Sequence, residues 1–258
     1  MKLKVVIPCH LNSIRLKEKI LLDIHGLPMI EHVRRRALMS NKVNEVIIAT
    51  GDLRIKEVIE KYGGSVVLTE KNHLNGTSRV NEAISKIDCT HVVLIQGDEP
   101  LLIPEYLDKF IDSIIESKED RMWNAISNFE TNEDTFDINK VKCFIDKNNQ
   151  IFFCFRKSPI TNINSKYHEF IFKIQGLIAF EKSTLKTVVE SNLNGYGFTE
   201  SIEQSKAIEL GIKINAVKLP GSLPSVNDKN ELELVKKILL EDKNQSNILK
   251  QIKYEFSK

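Results

Sequence analysis

The chain has 258 residues, 41% of them hydrophobic and 28% charged, with a formal net charge of +2. That length leaves room for a sizeable core, and the near-neutral balance argues against the overall basic field of a nucleic-acid binder. No apolar run approaches the roughly 20 residues that span a bilayer, and Cys9, Cys89, Cys143 and Cys154 form no CxxC pair, so no zinc site is expected.

Met1-Lys2-Leu3-Lys4 runs straight into an apolar segment, so no leader is expected and the thiols are expected free in a reducing cytoplasm. Val5-Val6-Ile7 reads as a buried strand ending at Pro8, followed by a polar loop from Cys9 to about Ile24. Gly26 and Pro28 introduce a helix with Met29, Ile30, Val33, Ala37 and Leu38 on its apolar face and Arg34, Arg35 and Arg36 expected in solvent. Val46 to Thr50 is the next strand, and Asp52 is placed to cap the helix carrying Ile55, Val58 and Ile59. Gly63-Gly64 ends that helix, and Val66-Val67-Leu68 is a third strand. A helix from about Thr77 to Lys86, a fourth strand Val92 to Ile95 and a helix from Ile103 to Ile115 follow.

This βα repetition predicts an α/β fold with a doubly wound, mostly parallel, Rossmann-like sheet. Beyond it, Val141 to Ile145 and Ile151 to Phe155 flank a turn at Asp146-Lys147-Asn148-Asn149, a hairpin signature. Ile171 to Phe180 reads as a strand, Thr199 to Leu210 as a helix, Ile212 to Val217 as a strand and Asp228 as the start of a last helix. Residues 1–241 are expected to form one domain, with about 139–180 as a small β-rich lid or dimerisation segment and 242–258 as a charged tail. Trp123 and the phenylalanines at 152, 153 and 155 read as core or interface.

In doubly wound sheets ligands bind beyond the carboxyl ends of the strands, and three loops there are chemically rich. The first, Pro8 to Lys19, holds His10, Asn12, Ser13, Arg15, Lys17 and Lys19. It contains no glycine and is neither a dinucleotide fingerprint nor a Walker loop; it reads either as a solvated loop or as a set of cations for a triphosphate. The second holds His73, Asn75, Gly76, Thr77 and Arg79; its plain reading is a helix cap and a surface arginine, its functional one a close approach to a flat ligand. The third, Gln96-Gly97-Asp98-Glu99-Pro100, pairs two carboxylates at a strand end, which suits Mg²⁺ or a simple capped turn. Together they are the equipment of nucleotidyl transfer, in which positioning and charge neutralisation dominate.

Val6-Ile7-Pro8, Ser13, Arg15-Leu16, Lys19, Gly26 to Ile30, His73 with Gly76-Thr77 and Arg79, Gln96 to Pro100, Asn139 to Lys142, Arg156, Glu200 and Glu203-Gln204 together resemble the sugar-acid cytidylyltransferases, specifically the 3-deoxy-manno-octulosonate (Kdo) branch. The likeness covers nearly the whole chain except the last fifteen or so residues. It implies a nucleotide-diphospho-sugar-transferase-like fold. It also implies a reaction in which the anomeric hydroxyl of an acidic sugar attacks the α-phosphorus of CTP, releasing pyrophosphate, for surface glycan synthesis. Asp98, Lys19 and Arg15 would be catalytic; Pro8, Cys9, His10, Ser13, His73, Gly76, Thr77, Arg79 and Gln96 would bind nucleotide; Gln96, Arg156, Glu203 and Gln204 would bind the sugar. Mg²⁺ would sit on Asp98, with Asn227 or Asp228 at the position of a second acidic ligand. The resemblance further implies a homodimer, while the charge balance and the lack of a long apolar run lead to no nucleic acid and no membrane insertion being expected.

The chain departs from the family's pattern in four places. Cys9-His10 stands for Ala-Arg, Lys17-Glu18 lacks the usual proline, Asn227 stands for aspartate, and Lys173 to Ile178 lacks the usual His and Tyr of the sugar pocket. The fold pattern also fits a nucleotidyltransferase for another sugar or polyol phosphate, or a non-catalytic nucleotide-binding homologue.

Overall fold

The computed structural model describes every residue except 14, 118, 130–132, 160–168, 193–194, 196–200, 223 and 255–258. The chain divides into two compact units, one formed by residues 2–108 and 223–258, the other by 109–222 with Met1. The sequence reading expected a single domain over residues 1–241.

The first unit opens with β1 (Leu3–Pro8), whose Val5, Val6 and Ile7 are almost wholly buried. A 3-10 turn (Lys19–Leu21) and a minimal hairpin of β2 (Asp23–Ile24) and β3 (Leu27–Pro28) precede α1 (Met29–Leu38). The hairpin turns on His25 at φ 52° and Gly26 at φ 89°, and only glycine takes the second value without steric cost. Then come β4 (Val46–Thr50), α2 (Leu53–Lys61), β5 (Ser65–Leu68), α3 (Gly76–Ser85) and β6 (His91–Ile95), and α4 (Pro104–Glu116) starts in this unit and ends in the second. The four long strands run in the order β5-β4-β1-β6, all parallel. The β-branched composition of β1, β4 and β6 suits strands buried on both faces, while β5 at the edge is partly exposed. This part matches the expected βα repetition.

The second unit departs from it. It contains β7 (Met122–Ser127), β8 (Lys142–Ile145), β9 (Gln150–Phe155), β10 (Phe172–Glu181), α5 (Lys182–Glu190), α6 (Glu203–Glu209) and β11 (Ile214–Lys218). Only β7 and β11 pair in parallel, while β7–β10, β10–β8, β8–β9 and β9–β11 are antiparallel. These pairings close a circuit through all five strands, so the fold is α/β with a mixed sheet and not a mostly parallel one. The 139–180 segment supplies β8, β9 and β10 to that circuit; its residues 160–168 lie outside the described set, as do Glu200 and the predicted helix start at Thr199.

The chain then returns to the first unit with α7 (Lys229–Glu241) and α8 (Lys243–Tyr254). The 242–258 segment, expected as a charged tail or loosely attached helix, is helical and packs in the core over its described length. Ile248, Leu249 and Ile252 join Ile24, Met29, Leu101, Val235 and Leu239 in one apolar cluster, and each such burial contributes roughly 1.5–3 kcal/mol. The cluster explains a second difference. Arg34, Arg35 and Arg36 are buried, at 3%, 2% and 0% exposure, instead of solvated. Glu31 accepts from both Arg34 (2.6 Å) and Arg35 (2.8 Å). Arg35 also reaches Ile252 O at 2.8 Å, and Arg36 reaches Gln245 Oε1 at 2.7 Å and Leu102 O at 3.1 Å. Burial still pushes the Arg36 pKa down to about 9.

Candidate functional site

The three chemically rich loops meet in the first unit. β1 ends at Pro8, β6 at Ile95 and β5 at Leu68, so the loops after these parallel strands emerge at one edge. They enclose a cavity of about 160 Å³. Its walls include Pro8, Cys9, His10, Ser13, Lys19, His73, Gly76, Arg79, Gln96 and Asp98, ten of the residues expected from sequence. Ile20, Leu74, Asn75 and Gly97 line it too; Gly97 and Asn75 fell within the sequence motifs but were not assigned a ligand role, and the apolar Ile20 and Leu74 carried no polar signal.

The floor is charged and tightly tethered. Lys19 Nζ donates to Asp98 Oδ2 at 2.6 Å and to Val226 O at 3.0 Å. Val226 N donates back to Asp98 O at 2.9 Å, which brings the segment before α7 beside the end of β6. The next residue is Asn227. Arg15 Nη2 donates to its Oδ1 at 3.3 Å, and its own Nδ2 donates to Ser225 Oγ at 2.9 Å. Asp98, Lys19, Arg15 and Asn227 are thus one connected cluster. Asp228 is committed elsewhere: its carboxylate accepts Glu231 N at 3.0 Å and caps α7, while Glu231 accepts Asn227 N at 2.6 Å.

The roof is the loop before α3. Asn75 caps that helix by accepting Ser78 N at 2.9 Å, and Ser78 Oγ returns a bond to Asn75. Gly76 begins the helix against β1: a Cβ there would stand 3.1 Å from Pro8 Cγ. Arg79, expected as a nucleotide contact, also braces the loop, donating to Thr69 Oγ1 at 2.6 Å, Glu70 O at 3.0 Å and Lys71 O at 3.1 Å. His73 pairs with Glu82 at 2.9 Å. Glu82 also accepts Glu70 N and Lys86, and despite desolvation these bonds hold its carboxyl down at about 2. Thr77 is buried one residue beyond Gly76.

Two residues at the mouth differ in protonation behaviour from their ordinary forms. Burial pushes the Cys9 thiol up to about 12, against a bond from Thr50 and the charge of Arg79, so it is no nucleophile at neutral pH. His10 is pushed below its ordinary value first by desolvation and then by Arg79 and Lys19. It is therefore largely neutral near pH 7 in the free protein, more so than its unperturbed value of about 6.5 implies.

Arg156, Glu203 and Gln204 belong to the second unit. Arg156 donates to Ile138 O at 3.2 Å, Asn139 O at 3.3 Å and Ser201 O at 3.4 Å. Its own carbonyl accepts the buried Lys142 ammonium at 2.6 Å. Glu203 and Gln204 open α6, and Gln204 Nε2 donates to Asn124 Oδ1 at 2.8 Å. A buried polar chain that the sequence did not reveal continues from there: Asn124 donates to Gln175 O at 3.2 Å, and Gln175 Nε2 donates to Ser127 Oγ at 2.8 Å. Lys173 adds a bond to Ser222 Oγ at 2.7 Å.

Among the described residues no three carboxylates, imidazoles or thiols converge to cage a metal, and no helix is long and apolar enough to cross a membrane. The donor chemistry suits a hard cation whose shell phosphates and water complete: Asp98 offers a carboxylate, and Asn227, next to Val226 whose N–H bonds Asp98 O, offers an amide oxygen that here accepts from Arg15.

Comparison with known proteins places this geometry. A family model for cytidylyltransferases matches residues 4–214. A 3-deoxy-manno-octulosonate cytidylyltransferase from Thermodesulfovibrio yellowstonii is 32% identical over 248 residues, covering 91% of this chain and 96% of the relative. The enzyme of the same name from Chloroherpeton thalassium is 34% identical over 242 residues, covering 93% and 98%. The solved structure of a CMP:2-keto-3-deoxy-manno-octonic acid synthetase complexed with CTP superposes with a TM-score of 0.87 at 26% identity, covering 94% of this chain and 100% of that one. The chain belongs to the cytidylyltransferase family.

Proposed function

We propose that this protein transfers CMP from CTP to the anomeric hydroxyl of a 3-deoxy sugar acid, Kdo or a close relative, releasing pyrophosphate. The observation that carries the reading is the Lys19–Asp98 pair at 2.6 Å on the floor of a cavity roofed by Gly76 and Arg79. The relatives named for this reaction, matched over most of their length, support the same substrates.

In this reading Arg15 and Lys19 neutralise the β- and γ-phosphates and hold them in line for displacement. Gly76 lets the start of α3 pack against Pro8 beside Gln96, on the wall where the base would lie, and Arg79 keeps the 69–71 backbone in place. Asp98 and Asn227 would hold a divalent metal, Mg²⁺ in the simplest case, which when bound supplies further charge neutralisation to the triphosphate. Within the second unit, Arg156 is suited to an acceptor's carboxylate as a charge-assisted partner, and Glu203 and Gln204 to its hydroxyls. The buried Lys142 fixes the backbone from which Arg156 projects.

The wider setting is part of the same proposal: a cytoplasmic enzyme supplying a CMP-sugar for lipopolysaccharide or a related surface glycan. It acts as a homodimer, with the 139–180 segment as lid or dimerisation arm. Exposed Phe152 (54%) and Phe170 (64%) in that segment support an apolar contact.

The test is pyrophosphate release with each of the four NTPs against Kdo, its 8-amino analogue and N-acetylneuraminate. Turnover confined to CTP with one or more of the sugar acids is expected. Release with a different NTP, or with none of these acceptors while CTP still binds, would contradict the proposal.

A further inference from the structure

The loop that carries the phosphate-binding cations contains a residue in a conformation that a side chain resists. Glu18 sits at φ 52° and ψ 29°, in the left-handed region where Cβ crowds the backbone. It directly precedes Lys19. Its carbonyl accepts Leu21 N at 2.9 Å, and Lys19 N donates to Leu16 O at 3.2 Å. The course of the chain through Glu18 therefore sets where the Lys19 ammonium arrives, between Asp98 and Val226 O.

An external grip holds Glu18 in this shape. Arg54 Nη1 lies 2.6 Å from its Oε1 and Nη2 lies 3.0 Å from its Oε2, a two-pronged contact. Arg54 is the second residue of α2, a helix rooted in the core through Ile55 and Ile59, so the grip has a rigid base. The bond to Arg54 holds the Glu18 carboxyl below its ordinary range, and the bond to Glu18 raises Arg54. Arg54 is not among the residues that line the nucleotide cavity.

We infer that Arg54 and Glu18 are positioning residues: their ion pair sets the Arg15–Lys19 loop in its triphosphate-binding shape, and Arg54 acts through Glu18 instead of through its own charge. The inference rests on the nucleotide reading given above. The pair is half in solvent, so salt screens it and its effect is modest. It falls on nucleotide binding more than on the chemical step.

The sign of one substitution separates positioning from simple electrostatics. Glu18→Gln removes a negative charge beside a triphosphate site, and by charge alone CTP would bind more tightly. Positioning predicts weaker binding, because a neutral amide grips the guanidinium less and the loop relaxes out of the left-handed turn. Calorimetric titration of the full-length protein with CTP and Mg²⁺, paired with steady-state kinetics, reads this directly. Arg54→Ala and Glu18→Gln should each weaken CTP binding about three- to tenfold, with kcat at saturating CTP changed by less than about twofold. Arg54→Lys should recover part of the loss. Glu18→Gly should lose less than Glu18→Gln, since glycine adopts positive φ freely. Unchanged or tighter binding by Glu18→Gln overturns the inference while leaving the nucleotide site intact. Failure of the unmodified protein to bind CTP overturns the nucleotide reading itself, and the positioning role with it.

Discussion

Lys19 Nζ lies 2.6 Å from the Asp98 carboxylate and 3.0 Å from the carbonyl oxygen of Val226, so one ammonium joins the loop after β1, the end of β6 and the segment before α7. The backbone bond from Val226 N to Asp98 O, 2.9 Å, holds two of these three strands of chain together without it. Removing the lysine should therefore spare the fold and injure the site. In Lys19→Ala the Asp98 charge faces the incoming triphosphate uncompensated. We expect kcat/KM for CTP to fall about 10²–10³-fold, as for the loss of one preorganised donor to transition-state charge. Steady-state pyrophosphate release measures it, and a loss below about threefold would remove Lys19 from the mechanism.

His10 makes a prediction of opposite sign. It is held largely neutral by desolvation and by Arg79 and Lys19. Phosphate binding favours its protonated form, so CTP affinity should rise as pH falls from 8 toward 6. His10→Arg supplies a permanent cation. It should lower the KM for CTP about three- to tenfold at pH 8 and flatten this part of the pH dependence. Comparing both proteins across that range cancels the titration of CTP itself. Parallel pH profiles would show that His10 does not meet the phosphates.

Asn227 accepts from Arg15 and donates to Ser225. An aspartate keeps the first contact, gains charge for a metal and can only accept, where the amide donated, at Ser225 Oγ. Asn227→Asp should preserve or raise turnover at low Mg²⁺, read as a lower half-saturating metal concentration. A loss of more than about tenfold would mean that the site is built around the amide.

His32 links stability to pH. Its Nε2 donates to Ile24 O at 2.7 Å in the core, and burial lowers its pKa to about 4. The unfolded chain takes up that proton near pH 6.5, the folded chain only near 4. Stability from this residue is therefore complete above about pH 6.5 and is lost as pH falls through the window between, at about 1.4 kcal/mol per pH unit. Urea unfolding at pH 7.5 and pH 5.0 should show a loss of about 2 kcal/mol that His32→Asn, though less stable at pH 7.5, does not share. Equal losses in both proteins would contradict the assignment.

The first unit was legible because its strands are apolar and β-branched runs separated by amphipathic helices, and because parallel strands deliver their following loops to one edge. That is why ten residues chosen from sequence line one cavity. What stayed hidden depends on partners distant in sequence. Strand β7 carries Asn124 and Ser127, which break any apolar run, yet both are buried because Gln204 and Gln175 supply their bonds. Arg34 to Arg36 look like a solvated charge run, but Arg35 meets Ile252 some 217 positions away and Arg36 meets Gln245. The same distance concealed the packing of α8, where Lys243, Lys250 and Lys253 sit beside the buried triplet Ile248, Leu249 and Ile252. Helix α5 was not anticipated either, because its threonines and valines at 184, 187, 188 and 189 weaken the helical signal.

The central claim is that the cavity floored by Asp98 is a metal-assisted CTP site. Its most direct measurement is CTP-dependent pyrophosphate release with a sugar acid and Mg²⁺ by the unmodified protein and by Asp98→Asn, side by side. The account predicts turnover by the first and a loss of at least about 10³-fold in the second, because the neutral amide gives up the floor's anionic metal ligand. It also predicts little change in melting temperature, since the Val226–Asp98 backbone bond survives the substitution. Near-normal turnover by the folded Asp98→Asn protein would contradict it.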